Sequence, residues 1–136
     1  MTGKFRYRRK KGFTLIELML VVAIILVLLG FLVPKFSAYQ NKAKITKAVN
    51  TAKQIETAAM ASYRDNDGKF DEVDVKNCIS TLTSAGETGV ELGSDDQNIT
   101  VNYESDKDTY TLEIDAADNS YIVRKEGIEI FPNDEN

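Results

Sequence analysis

Apolar residues form one long uninterrupted stretch near the start of the chain. From Leu18 to Val33 there are sixteen consecutive apolar or glycine residues, and the stretch counted from Phe13 is 21 residues long. At 1.5 Å per residue, a helix of this length spans about 31 Å, which is close to the hydrocarbon thickness of a bilayer. The pattern therefore predicts a membrane-spanning helix over residues 13–34.

Helical spacing continues after this stretch, in a more polar form. Residues 35–64 contain no glycine and no proline, and their apolar positions fall on one helix face. That predicted face consists of Phe36, Tyr39, Ala43, Ala48, Ala52, Ile55, Ala59 and Tyr63. We predict one helix from Thr14 to Arg64, kinked or locally opened at Pro34 with help from Gly30. The alternative is that Pro34 ends a plain membrane anchor.

The rest of the chain changes from helical to alternating periodicity. The turn residues 65–68 end the long helix, residues 71–84 suit a short helix or an irregular connection, and Gly86, Gly89 and Gly93 interrupt regular structure. Apolar and polar residues then alternate, which predicts four strands. These are Asn98–Glu104, Thr109–Asp115, Ser120–Arg124 and Gly127–Phe131. We expect an α+β fold in which the long helix packs on an antiparallel sheet of three or four strands. Residues 65–97 would connect helix to sheet, and residues 35–97 and 98–136 would form the globular head.

Charge is divided sharply along the chain. Residues 1–12 carry six Lys or Arg and no acid, which favours a cytoplasmic N-terminus and export of the remainder. Residues 70–136 carry four Lys or Arg against 17 Asp or Glu. Such an acidic head does not attract nucleic acid through its net field. The basic part of the helix, by contrast, could meet lipid phosphates or the acidic heads of neighbouring subunits.

The segment Lys11-Gly12-Phe13-Thr14-Leu15-Ile16-Glu17, followed by the apolar stretch and Pro34, resembles the leader and N-terminal helix of type IV pilins and pseudopilins. The resemblance covers roughly residues 8–64. It implies that residues 1–12 are a leader, which a prepilin peptidase removes by cutting after Gly12, and that Phe13 is then N-methylated. It also implies a helical filament of identical subunits, built by an inner-membrane assembly platform and an assembly ATPase. Within that filament, Gly30 and Pro34 would act as a hinge.

Glu17 is a carboxylate inside an apolar stretch, where an unpaired charge is costly. If the chain is cut after Gly12, an ammonium group appears at Phe13, four residues earlier. A neighbouring subunit displaced along the filament axis could place its Phe13 ammonium against this carboxylate, so that each charge is paired. The pair would fix the axial register of the subunits. The alternative is that Glu17 reaches back to lipid headgroups and lysines at the cytoplasmic membrane surface.

Few residues suit catalysis or metal binding. The chain has no histidine and one cysteine, Cys78, which leaves no imidazole chemistry and no cysteine-cluster zinc site. We therefore expect no enzymatic activity and no cofactor. Four aspartates are weak calcium candidates, although solvated turns are the better interpretation. They are Asp65, Asp67, Asp95 and Asp96.

Three functions remain open. The first is the structural subunit of a type IV pilus, used in adhesion, twitching motility or DNA uptake. The second is a pseudopilin of a type II secretion or competence system, and the third is a membrane-anchored minor pilin that acts as a binding module. In each case we expect a single-pass membrane protein before processing. A pilus subunit would afterwards lie at the cell surface.

Overall fold

The computed structural model describes residues 2–3 and 12–132. The basic leader predicted over residues 1–12 therefore lies almost entirely outside the described residues. Helix α1 spans Leu15–Asp65 and helix α2 spans Glu72–Leu82. Five strands follow: β1 Gly86–Leu92, β2 Asn98–Ser105, β3 Asp108–Asp115, β4 Ser120–Lys125 and β5 Ile128–Phe131. The predicted α+β class is confirmed, and Pro34 lies inside α1 instead of ending it.

The chain divides into two compact units, Met1–Tyr39 and Gln40–Asn136. The first contains the N-terminal part of α1, and its described side chains are all exposed. An 18-residue window of α1 has a mean hydropathy of 3.1 with no residue buried. By length and composition α1 can cross a membrane, and it is the one helix of the described residues that can.

The second unit has a core between the C-terminal part of α1 and one face of the sheet. Ala52, Ile55 and Ala59 of α1 are fully buried, as are Tyr103 and Leu112 on the sheet. Small alanine side chains let the helix approach the sheet closely, while tyrosine, leucine and isoleucine side chains fill the space between them. On β2 and β3 the apolar positions therefore lie on the inner face, and the residues that alternate with them lie on the outer face.

The sheet is an antiparallel meander in the order β1-β2-β3-β4-β5. Two of its connections are two-residue hairpin turns. In the turn between β2 and β3, Asp106 and Lys107 have φ values of 50° and 70°. Between β4 and β5, Glu126 and Gly127 have φ values of 51° and 80°. Positive φ at both turn positions matches the right-handed twist of the flanking strands.

The sheet has one strand more than the sequence predicted. Strand β1 occupies the region where glycines were expected to interrupt regular structure. Gly86 lies at the first position of β1, opposite Glu104, and Gly89 lies next to a register shift, opposite Asn102. Glycine is common at bulges and strand ends because it tolerates irregular backbone. The four predicted strands are present, with ends shifted by at most one residue.

The predicted apolar face of the long helix is correct only in its second part. Burial on α1 begins at Ala48, whereas Phe36, Tyr39 and Ala43 are exposed. On α2, Val73 and Leu82 also lie in solvent. Helical periodicity identifies a face that can be covered, but only the residues beneath the sheet are covered within one chain.

A candidate processing and assembly site at the start of the long helix

The first turn of α1 is closed by a pair of reciprocal hydrogen bonds. The Glu17 backbone N–H donates to Thr14 Oγ1 at 3.2 Å, and the Thr14 N–H donates to Glu17 Oε2 at 3.3 Å. This is a capping box, in which an N-cap threonine and the third helical residue each satisfy a backbone donor of the other. The carboxylate also lies at the positive end of the helix dipole, which stabilises its charge.

This capping role was missed by the sequence interpretation, although the sequence contains its signature. A threonine followed three residues later by a glutamate, just before an apolar stretch, is the usual pattern of a capping box. The alternative expected for Glu17 was contact with headgroups and lysines. The structure instead gives its carboxylate a partner in its own helix, the Thr14 N–H. A carboxylate has about four lone-pair sites, so this bond leaves room for a second donor.

Three of the predicted site residues lie together at this helix end. Gly12 and Phe13 precede the helix and are exposed, so the peptide bond between them is outside regular structure. Phe13 and Glu17 line one open groove with Leu18, Leu20 and Val21. An extended, accessible backbone is what a peptidase needs to bind a cleavage site.

The predicted hinge residues lie further along the same helix. Proline has no N–H, so the Gly30 carbonyl lacks the helix donor that Pro34 would otherwise supply. A side chain added at Gly30 would meet nothing within 4 Å. Both residues are helical, and the hinge stays a prediction.

The aspartates considered for calcium have structural partners or turn positions. Asp95 Oδ1 accepts hydrogen bonds from the Gln97 N–H at 3.2 Å and from Asn98 Nδ2 at 2.7 Å. Asp96 lies 3.6 Å from Lys69 Nζ. Asp67 occupies a turn with a φ of 56°. Within residues 2–3 and 12–132, no group of three His, Cys, Asp or Glu side chains is placed to hold a metal ion.

Cys78 lies half-buried on α2. Burial raises the pKa of its thiol, with the nearby Asp74 and Asp65 carboxylates acting in the same direction. A raised pKa lowers the thiolate fraction at neutral pH and makes the thiol less reactive.

Comparison with known proteins identifies the same segment. The family model described as a prokaryotic N-terminal methylation motif matches residues 7–33. A fimbrial protein of Pseudomonas aeruginosa is 44% identical over 52 residues, which is 38% of this chain and 34% of that protein. The type IV major pilin protein PilA of Myxococcus xanthus is 41% identical over 59 residues, 43% of this chain and 27% of that protein.

A longer match, of lower identity, is found to the type IV major fimbrial protein FimA of Dichelobacter nodosus. It is 31% identical over 81 residues, 60% of this chain and 50% of that protein. The chain thus spans between about a quarter and a half of the length of these three relatives. No solved structure gives a significant match. The motif, the relatives and the exposed apolar helix agree: the N-terminal segment of the chain carries the methylation motif and is similar to that of type IV pilins.

Proposed function

We propose that the chain is the repeating, non-enzymatic subunit of a type IV pilus. The observation that carries this proposal is that α1 buries none of its side chains before Ala48 within its own chain. Such a surface needs cover from outside the molecule, because exposing contiguous apolar area of this size to water is unfavourable. A bilayer covers it before assembly, and identical helices of other subunits cover it in the fibre.

Processing and assembly then use the three residues at the helix start. A prepilin peptidase cuts after Gly12, the new amino group of Phe13 is methylated, and Glu17 receives the Phe13 ammonium of a neighbouring subunit. The capping box holds the Glu17 side chain at the helix end, and its carboxylate retains acceptor capacity for this second partner. Pairing of two charges in an apolar surrounding is the condition under which both are tolerated.

The names of the relatives favour a major pilin over a pseudopilin. Two of the three are described as major subunits, of a type IV pilus in Myxococcus xanthus and of type IV fimbriae in Dichelobacter nodosus. Electron microscopy of surface fibres, with mass spectrometry of their main subunit, tests this choice directly. Long fibres containing mainly this chain support the proposal. Finding the chain only in short periplasmic assemblies beside a secretin would contradict it.

Variants at the helix start test the role of the Glu17 charge separately from its capping role. Glu17→Gln keeps an oxygen that can accept from the Thr14 N–H but removes the charge, whereas Thr14→Ala removes the threonine cap and keeps the charge. We expect cleavage after Gly12 in both variants. Fibre yield should fall more than tenfold in Glu17→Gln and stay near the unsubstituted level in Thr14→Ala. Fibre yield is measured by shearing and immunoblotting, and Phe13 methylation by mass spectrometry. Normal fibres from Glu17→Gln would reduce the glutamate to a capping residue.

A further inference from the structure

The solvent face of the sheet is acidic. Residues that alternate with the buried positions are brought side by side across the strands, for example Glu91 with Thr100, Thr100 with Glu113, and Glu113 with Ile122. Among the described residues, the pairing places five carboxylates and one cation, Arg124, on this face. The carboxylates are Glu91, Glu104, Glu113, Asp115 and Glu129.

A groove of about 410 Å³ opens on this part of the sheet. Three carboxylates line it, from Glu113, Asp115 and Asp118, together with polar Asn98 and Thr100, and no Lys or Arg lies in its described lining. Two of these carboxylates already have partners within the chain. Glu113 Oε1 lies 3.4 Å from Arg124 Nε, and Asp115 Oδ1 accepts from the Ala117 N–H at 2.9 Å. The groove therefore has an excess of negative charge.

Unpaired lysines lie on the exposed side of α1 in the same unit. Lys47 bonds to Asp106 Oδ1 at 2.6 Å, but Lys42 and Lys53 form no ion pair with a carboxylate among the described residues. Among the described residues, the Lys53 ammonium nitrogen lies 5.4 Å from the centroid of the Phe131 ring. Lys42 and Lys53 are about three helical turns apart, so they share a face and are separated by about 16 Å.

These two surfaces cannot meet within one molecule. Helix α1 packs on the inner face of the sheet, and the acidic residues lie on its outer face. After removal of the six leader cations, a chain of net charge −4 has about −10. Copies with this charge repel each other, except in orientations that bring opposite signs together.

We propose that the acidic outer face of the sheet in one copy binds the lysine face of α1, formed by Lys42 and Lys53, in a second copy. The groove between Glu113, Asp115 and Asp118 accommodates one of these lysine side chains. This inference rests on the proposed function, because it describes a contact between filament subunits. This contact orients neighbouring subunits, whereas the apolar surface of α1 provides most of the area that is buried on assembly.

Zero-length carbodiimide cross-linking tests the contact directly, because it forms an amide bond only between a lysine amine and a carboxyl group that come into direct contact. Full-length chain in detergent micelles is prepared as an equal mixture of ¹⁵N-labelled and unlabelled copies. We expect mixed-isotope peptides that join Lys42 or Lys53 to Glu113, Asp115 or Asp118. Raising NaCl from about 50 mM to 500 mM should reduce their yield several-fold, because salt screens exposed charges.

Matched variants give the test its controls. Glu113→Gln with Asp115→Asn removes two charges from the groove and keeps acceptors for its hydrogen bonds, and we expect at least a fivefold loss of these cross-links and a lower fibre yield. Asp67→Asn and Lys107→Gln remove one exposed charge each from turns outside both surfaces and should change neither readout.

Three outcomes would overturn the inference. The first is the absence of intermolecular cross-links between the two surfaces. The second is their persistence at unchanged yield in the groove variant. The third is a lysine face that binds vesicles of anionic phospholipid while giving no cross-link to the sheet, which would make lipid its partner. If fibres form without these cross-links, the proposed function stands and this contact is wrong. If cross-links form in micelles but no fibres appear on cells, the contact stands and the pilus role is wrong.

Discussion

Helix α1 has two parts that differ in whether their apolar side chains are exposed or buried within the chain. Before Ala48, α1 carries large leucine, isoleucine and valine residues and leaves all of them exposed. From Ala48 onward its buried positions are mostly alanines, and they form a core with the sheet. Hydrophobicity alone therefore does not indicate where a chain builds its own core. Small residues mark the part of α1 that packs closely within the chain, and large ones mark the part that needs other surfaces.

Truncating one isoleucine in each region should show the difference between the two regions most clearly. Ile55→Ala removes a fully buried side chain, and we expect it to lower the free energy of unfolding of the head by about 2–5 kcal/mol. Ile24→Ala, in the exposed part of α1, should leave head stability unchanged. Urea unfolding in detergent, followed by tyrosine fluorescence, measures both. Equal losses for the two variants would show that the apolar segment contributes to the core of the head.

The second prediction concerns a polar contact between the two helices of the head. The buried Ser62 hydroxyl donates to Asp74 Oδ2 at 2.6 Å, and Asn66 Nδ2 donates to the same oxygen at 2.7 Å. Asp74→Ala leaves the serine hydroxyl without its acceptor and should cost about 1–3 kcal/mol. Asp74→Asn keeps an oxygen at this position and should recover part of that loss in the same unfolding measurement. If the alanine and asparagine variants lose the same stability, the hydrogen-bond acceptor of Asp74 does not account for the loss.

A smaller effect is expected at the point where the sheet meets the first buried turn of α1. The Tyr103 hydroxyl donates to the Ala48 carbonyl at 2.7 Å. Tyr103→Phe should lower stability by about 0.5–1.5 kcal/mol. Tyr121→Phe is the control, because Tyr121 is only partly buried. A loss at Tyr121 as large as that at Tyr103 would contradict the importance of the buried hydroxyl.

Alkaline pH tests the same tyrosine in another way. Burial raises the pKa of Tyr103, and it also raises the pKa values of Tyr110 and Tyr121. The folded head then keeps protons that the unfolded chain loses above pH about 10. Stability should be constant below that pH and fall above it, and the fall should be shallower in Tyr103→Phe. A pH series of urea midpoints between 8 and 11.5 gives the slope. An unchanged slope in the variant would assign the titration to other groups.

The smallest change is expected at the exposed ion pair between α1 and the β2–β3 turn. The hydrogen bond from Lys47 lowers the pKa of the Asp106 carboxyl, so any contribution of the pair is present above pH about 4 and is lost as the pH falls further. Lys47→Met should give no measurable change in the urea midpoint at pH 7, because exposed pairs are screened by solvent. A clear fall in the urea midpoint would show that this ion pair contributes measurably to the stability of the head.

The sequence predicted most of the fold because its periodicities are strong. Helix α1 begins at Leu15 and ends at Asp65, within one residue of the prediction. Its C-terminal end and the boundaries of β2–β5 follow from turn residues and from the alternation of apolar and polar positions. Strand β1 was missed because Gly86 and Gly89 were interpreted as breaks, whereas the bulge next to Gly89 makes that residue compatible with a strand. The exposure of Phe36 and Tyr39 could not be predicted, because periodicity defines a face but does not show how far the sheet extends along it.

The residues of the candidate site were proposed from the sequence, but their local geometry was not. Gly12, Phe13 and Glu17 were singled out, and the structure places them at one helix start. The bond between the Thr14 N–H and Glu17 was not anticipated, because the apolar stretch around Glu17 indicated a partner outside its own helix. The lysine and carboxylate surfaces could be located only after the strand register showed which acids share the outer face.

The capping box has a consequence for how processing affects the molecule. Every atom of its two hydrogen bonds belongs to Thr14 and Glu17, both downstream of the proposed cut after Gly12. If the chain is cut there, both hydrogen bonds can persist, so the proposed processing requires no rearrangement of the helix start. What the cut changes is charge, since six cationic side chains leave and one ammonium group is created. The proposed processing would therefore change the charge of the chain and leave the hydrogen bonds of the helix start unchanged.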